Sequence, residues 1–159
     1  MLRDLLTLWD AARLHGHLGP FLTIGYIAGL IATMVLSPTT EHDLEAEIEV
    51  FPSTPYTCVV DGVQCSTRCT LGKGNIRISP ADRNIIRFKF MNRRHGSSLL
   101  LKVRETLLDA LPLKGNLHKA TSWILGLSLS EIFEGVPSEL SNVKVYELLV
   151  RGIEPRTSR

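Results

Sequence analysis

The longest apolar run in the chain, GPFLTIGYIAGLIATMVL from Gly19 to Leu36, carries no charge and must therefore be wrapped by protein or immersed in lipid. It approaches the roughly 20 residues that cross a bilayer. It also contains Gly25 and Gly29 and lacks a flanking cluster of Lys or Arg. A lone span would leave the amphipathic segments around it without a core to pack on. The run is therefore read as a buried core helix, with no membrane partner.

The rest of the chain supplies what such a helix would be packed against. The segment LRDLLTLWDAARL sets Leu2, Leu5, Leu6, Trp9 and Ala12 on one face at helical spacing, which predicts an amphipathic helix. HGHLGP, His15 to Pro20, then breaks the pattern, and Pro20 suits the first position of the apolar helix. LEAEIEV, Leu44 to Val50, alternates apolar residues with glutamates and reads as a strand. IIRFKFM, Ile85 to Met91, alternates with Arg87 and Lys89, so the two strands are expected to pair with opposite charges facing. Further strands are expected at NIRI from Asn75, SLLLKV from Ser98 and VKVYELLV from Val143, with a short helix over Arg104 to Leu111. Asn116 to Gly135 reads as helix, with a second start at Ser128-Leu129-Ser130-Glu131, which has capping-box spacing.

No βαβ succession is visible, and the reading is a single α+β domain over residues 1–153, an antiparallel-rich sheet packed against helices, with a frayed tail over 154–159. A length of 159 residues suits one domain. The composition, 44% hydrophobic and 21% charged, excludes disorder and collagen-like or disulfide-rich classes, while a net charge of +2 gives no argument for a nucleic-acid partner. The three cysteines are an odd number, and the N-terminal residues lack a charged region followed by an apolar core and a cleavage site. A reducing cytoplasm is the expected compartment.

All three cysteines, Cys58, Cys65 and Cys69, fall within CVVDGVQCSTRCTLGKGN. Their spacing lacks the close C-x-x-C pairs of zinc fingers. On a continuous helix from Cys58 they would share one face, either as a core stripe or as a ligand set. His15 and His17, two apart in an extended turn, would point to the same side. Thiolates with imidazoles suit zinc or iron, although the histidines could equally serve the ends of their helices. Asp61 either orients a histidine or caps a helix. The loop TLGKGN, Thr70 to Asn75, is no Walker sequence: it either brings Lys73 and the amides around Gly72 and Gly74 to an anionic group or is a tight turn with a solvated lysine.

HGHLGPFLTIGYIAG together with DGVQCSTRCTLGKGN resembles the FmdE family of formylmethanofuran dehydrogenase subunits, in which an H-G-H-L-x-P-x-x-x-x-G motif precedes a D-x-x-Q-x-x-T-x-C-T-x-G-K-G-N motif. The resemblance implies an α+β domain, a homodimer, and a metal site near the histidines and the motif cysteine. It carries over onto His15, His17, Asp61, Gln64, Cys69, Thr70, Gly72, Lys73, Gly74 and Asn75. Gly19 stands where many members have cysteine, and Arg68 where a glycine usually precedes the motif cysteine, bringing a charge expected to favour the Cys69 thiolate. The zinc-finger extension of many members has no counterpart after Cys69.

The expected function is thus a metal-binding domain, an accessory to oxidoreductase subunits or a stand-alone relative. His17, Cys58 and Cys69 would be ligands to zinc or iron, with His15 or Cys65 as the fourth. Asp61, Gln64, Thr70, Gly72, Gly74 and Asn75 would complete the binding site. No independent dehydrogenase activity is assigned, because the chain shows no motif for a molybdenum or tungsten pterin. The alternative is a metal-free thiolate enzyme or redox protein using Cys69, supported by His17 and by Arg68 or Lys73.

Overall fold

A computed structural model describes residues 5–153, so Leu2 and the tail from Glu154 lie outside the described residues. The apolar run forms helix α2 (Pro20–Leu36), with Pro20 at its start and most of its side chains buried. No helix among the described residues is long and apolar enough to cross a membrane. The protein itself wraps α2: helix α3 (Cys58–Thr67) lies along one side and a five-stranded sheet along another.

Glycine brings α2 and α3 together. A Cβ on Gly25 would overlap the backbone carbonyl of Val59, and one on Gly62 would overlap the backbone of Leu22 and Tyr26. The two helices therefore meet backbone to backbone. Nearby, Thr33 donates through its hydroxyl to the Ser66 carbonyl at 3.0 Å, satisfying a buried polar group within the same seam.

The strands are β1 (Leu44–Val50), β2 (Ile76–Pro80), β3 (Ile86–Asn92), β4 (Ser98–Val103) and the short β5 (Phe133–Glu134), in the spatial order β2-β1-β3-β4-β5. One face buries Leu44, Ala46, Ile48, Ile86, Phe88, Phe90, Leu101 and Val103. The other carries the charges, and the expected cross-strand match is present: Glu49 faces Arg87 at 2.9 Å and Glu47 faces Lys89 at 3.2 Å. After β3, Arg93 donates to Glu45 at 2.7 Å, so the basic turn Asn92 to Gly96 is folded back on its own sheet.

The structure departs from the sequence reading in four places. β1 and β2 are parallel, with α3 as the crossover, so a βαβ unit is present although no local pattern records how the two strands pair. VKVYELLV is helical from Val145, in α7 (Val145–Ile153), after an isolated antiparallel bridge from Lys144 to Ser128; the buried Val145 and Leu148 are three apart, a helical spacing that outweighs the local V-K-V alternation. The stretch from Asn116 is two helices, α5 (Leu117–Leu125) and α6 (Leu129–Ile132), divided at Gly126; the Ser128–Glu131 capping box forms as expected. Helix α1 (Leu8–His15) begins at a Thr7–Asp10 capping box and buries Ala11 and Ala12, while Trp9 is 72% exposed rather than on the core face. Helix α4 (Glu105–Ala110) lies where a short helix was expected.

Candidate functional site

Helix α1 ends at His15 because Gly16 takes a left-handed conformation (φ 98°), which a side chain would oppose. The chain turns there, and His17 comes back beside His15 with the ring centroids 4.7 Å apart and tilted by 45°. The two imidazoles thus share a side, as the spacing implied. Gly19 caps α2 in extended conformation, and a Cβ built on it would meet Nε2 of His17 at 3.3 Å.

Across from this turn stands Asp61 on α3. Its Oδ2 lies 2.7 Å from Nδ1 of His15. A carboxylate accepts, so Nδ1–H donates, and in the neutral ring Nε2 is left as a lone-pair nitrogen. That atom is buried and without a hydrogen-bond partner, the single such side-chain nitrogen or oxygen among the described residues. An imidazole held from behind by a carboxylate, with its far nitrogen unpartnered, is the arrangement that metal-ligating histidines adopt. His15 and His17 therefore fit as a pair of imidazole ligands. Among the described residues no group of three or more His, Cys, Asp or Glu is arranged to hold a metal ion.

The cysteines are not gathered with the histidines into such a group. Cys58 and Cys65 lie on α3, but the helix ends at Thr67, and Arg68 in left-handed conformation (φ 61°) swings Cys69 off its face. Cys58 is half-buried, and its thiol is pushed up by burial and then by the charge of Asp61. Cys65 is buried, and burial followed by the charges of Asp61 and Asp10 raises it to about 11. Cys69 is fully buried, and its Sγ–H donates to the Leu44 carbonyl at 3.5 Å. Burial raises its pKa and outweighs the Thr67 hydrogen bond and the charges of Lys73 and Arg93. The expectation that Arg68 would favour the thiolate is not met; the net direction is towards the thiol.

The remaining motif residues form the corner between α3 and β2. Thr70 accepts from the Lys73 backbone at 3.3 Å and from Lys73 Nζ at 3.0 Å, closing a 3-10 turn over Leu71–Lys73, while Gly72 and Gly74 are exposed. Asn75 is buried: its Oδ1 accepts from the Thr70 backbone at 2.9 Å, and its Nδ2 donates to the carbonyls of Glu41 and Leu44 at 3.2 and 3.1 Å. Gln64 spans the gap between corner and histidines, its Nε2 3.5 Å from Asp61 Oδ1 and its Oε1 accepting from Leu71 N–H at 3.3 Å.

The order of the two motifs in the chain is thus also an order in space: the histidine turn against Asp61, then Gln64, then the glycine-lysine corner. The family described as FmdE, Molybdenum formylmethanofuran dehydrogenase operon, matches residues 14–133, well over half of the chain. The chain belongs to this family. No curated protein matches it. The FmdE match begins beside His15 and ends within β5, so it takes in both motifs and the first four strands. The first motif ends on Gly25, but sequence reasoning assigned no packing role to Gly25 or Gly62, where the close approach of α2 and α3 leaves no room for a Cβ; nothing in the local pattern marks Gly62 as a packing glycine.

Proposed function

We propose that this chain is a metal-binding domain of the FmdE family, with His15 and His17 as its imidazole ligands. The observation that carries the reading is the buried, unpartnered Nε2 of His15, fixed by Asp61. Asp61 orients the ring and keeps the proton on Nδ1; His17 supplies the second nitrogen. Gly19, against Nε2 of His17, occupies the position where many members carry cysteine, which supports this turn as the place where further coordination belongs. A bound zinc or iron would supply a Lewis acid. The residues of the chain would orient the ligand nitrogens and hold the Nδ1 proton.

The two imidazoles leave positions for water, a substrate atom, or a side chain from a partner protein. A second copy of the chain fits that role: Leu14 is exposed beside the histidine turn, and Leu6 and Trp9 are exposed at the other end of α1. An oxidoreductase partner would use the same face, with the cofactor chemistry residing in that partner. The three unpaired cysteines suit a reducing cytoplasm. Thiolate chemistry at Cys69 is the weaker reading, because that sulfur is fully buried and held as the thiol.

Elemental analysis of anaerobically purified, tag-free protein tests the reading. The wild type and Cys69→Ser are expected to hold zinc or iron, and His15→Ala and His17→Ala to lose it. Loss in Cys69→Ser with retention in both histidine variants would reverse the assignment.

A further inference from the structure

Gln64 is the motif residue whose role the metal reading does not absorb. Its amide lies between a donor and an acceptor: Leu71 N–H requires Oε1, and the Asp61 carboxylate requires Nε2. Only one orientation of the amide serves both. The spacing has a simple cause, since residues 61 and 64 are neighbours on one helix face.

Asp61 needs such a neighbour. Its side chain is 37% exposed, and the terminal torsion of an aspartate is broad, so a single hydrogen bond to His15 leaves the carboxylate free to turn. A second donor on the other oxygen restricts its plane. The second donor is itself anchored, because Leu71 belongs to the turn that Thr70 and Asn75 tie to the carbonyl of Leu44 at the start of β1. A continuous series of contacts therefore runs from sheet to loop, to Gln64, to Asp61 and to the His15 ring.

We propose that Gln64 is a positioning residue that refers the direction of His15 Nε2 to the Thr70–Asn75 corner. The proposal rests on the histidine pair being the metal site only for its effect on affinity; the positioning itself belongs to the metal-free protein. Gln64→Met keeps the volume and removes both contacts. Gln64→Glu keeps the acceptor for Leu71 and loses the donor to Asp61.

The test combines nitrogen-15 NMR of the imidazoles in metal-free full-length protein, hydrogen exchange of the Leu71 amide, and zinc titration. Wild type should show His15 in one tautomer, with the proton on Nδ1. Gln64→Met should mix the tautomers, expose the Leu71 amide and weaken zinc binding by up to about tenfold, the low end of what losing a ligand's own partner costs. Gln64→Glu should restore protection of Leu71 while the tautomers stay mixed. A purely packing role predicts instead that the two readouts change or recover together. Wild-type tautomer purity in both variants, with unchanged zinc affinity in Gln64→Met, would overturn the proposal. Mixed tautomers in a protein whose wild type takes up no zinc would uphold the positioning role and dismiss the metal reading.

Discussion

Helix α3 has a differently finished structure at each end. In its first half, Asp61 meets a histidine whose far nitrogen is buried with nothing to bond. Beyond its last turn, Cys69 and Asn75 converge on the carbonyl of Leu44, and Asn75 also bonds Thr70 and Glu41, so its amide is used on both sides. Residues from one motif thus divide into two kinds. A buried polar atom without a partner calls for an explanation, whereas a fully bonded cluster is accounted for as scaffold.

The strongest way to break both ends at once is to part α3 from α2. Gly62→Ala forces a methyl group into the backbone of Leu22 and Tyr26, and a loss of about 3 kcal/mol or more in chemical denaturation is expected, with metal uptake lost alongside. Asn75→Ala weighs one end against the other. It leaves the Thr70 N–H and the Leu44 carbonyl short of a partner, so about 2 kcal/mol of stability should go, while zinc binding at the proposed histidine site should weaken no more than about the tenfold expected of Gln64→Met. Gly19→Cys sharpens the comparison from the other side. The backbone there is extended and accepts any residue, and the added Cβ lies against Nε2 of His17, so a thiolate joins the imidazoles and zinc affinity should rise about tenfold or more, as read by competition with a chelator.

The pH dependence of the fold should arise from groups other than the histidine pair. Burial pushes the Tyr26 phenol up to about 12, so its contribution is complete below pH 10 and is lost as pH rises from there to about 12. The Asp43 carboxylate, accepting from the Thr39 and Thr40 backbones, is drawn down to about 2. Its contribution is present above its ordinary value of 3.8 and fades as pH falls towards 2, the smallest effect of the series. Denaturation midpoints measured across these two windows should bend there in both wild type and His15→Ala.

The strands β1 and β3 were legible because alternation with opposite charges encodes both their faces and their pairing. Helix α2 was legible from its unbroken apolar run. The parallel pairing of β1 with β2 was not, since parallel order depends on where α3 crosses, which no local pattern records. Within the site, the nearness of His15 to His17 followed from the turn between them. The cysteine set did not follow, because the reading required one continuous helix from Cys58 to Cys69, and a left-handed Arg68 ends it at Thr67. Charge beside a thiol was likewise a poor guide at Cys69, where the depth of burial decides the direction of the shift.

The contact between His15 and Asp61 spans 46 residues of chain. During synthesis the amino-terminal histidine turn leaves the ribosome well before Asp61 has been joined to the chain. Through that interval His15 lacks the carboxylate that holds its ring in the folded protein. Only when α3 docks does the carboxylate arrive to choose the tautomer and aim the nitrogen. On the proposed metal reading, selective capture would be a property of the folded protein and not of the nascent segment.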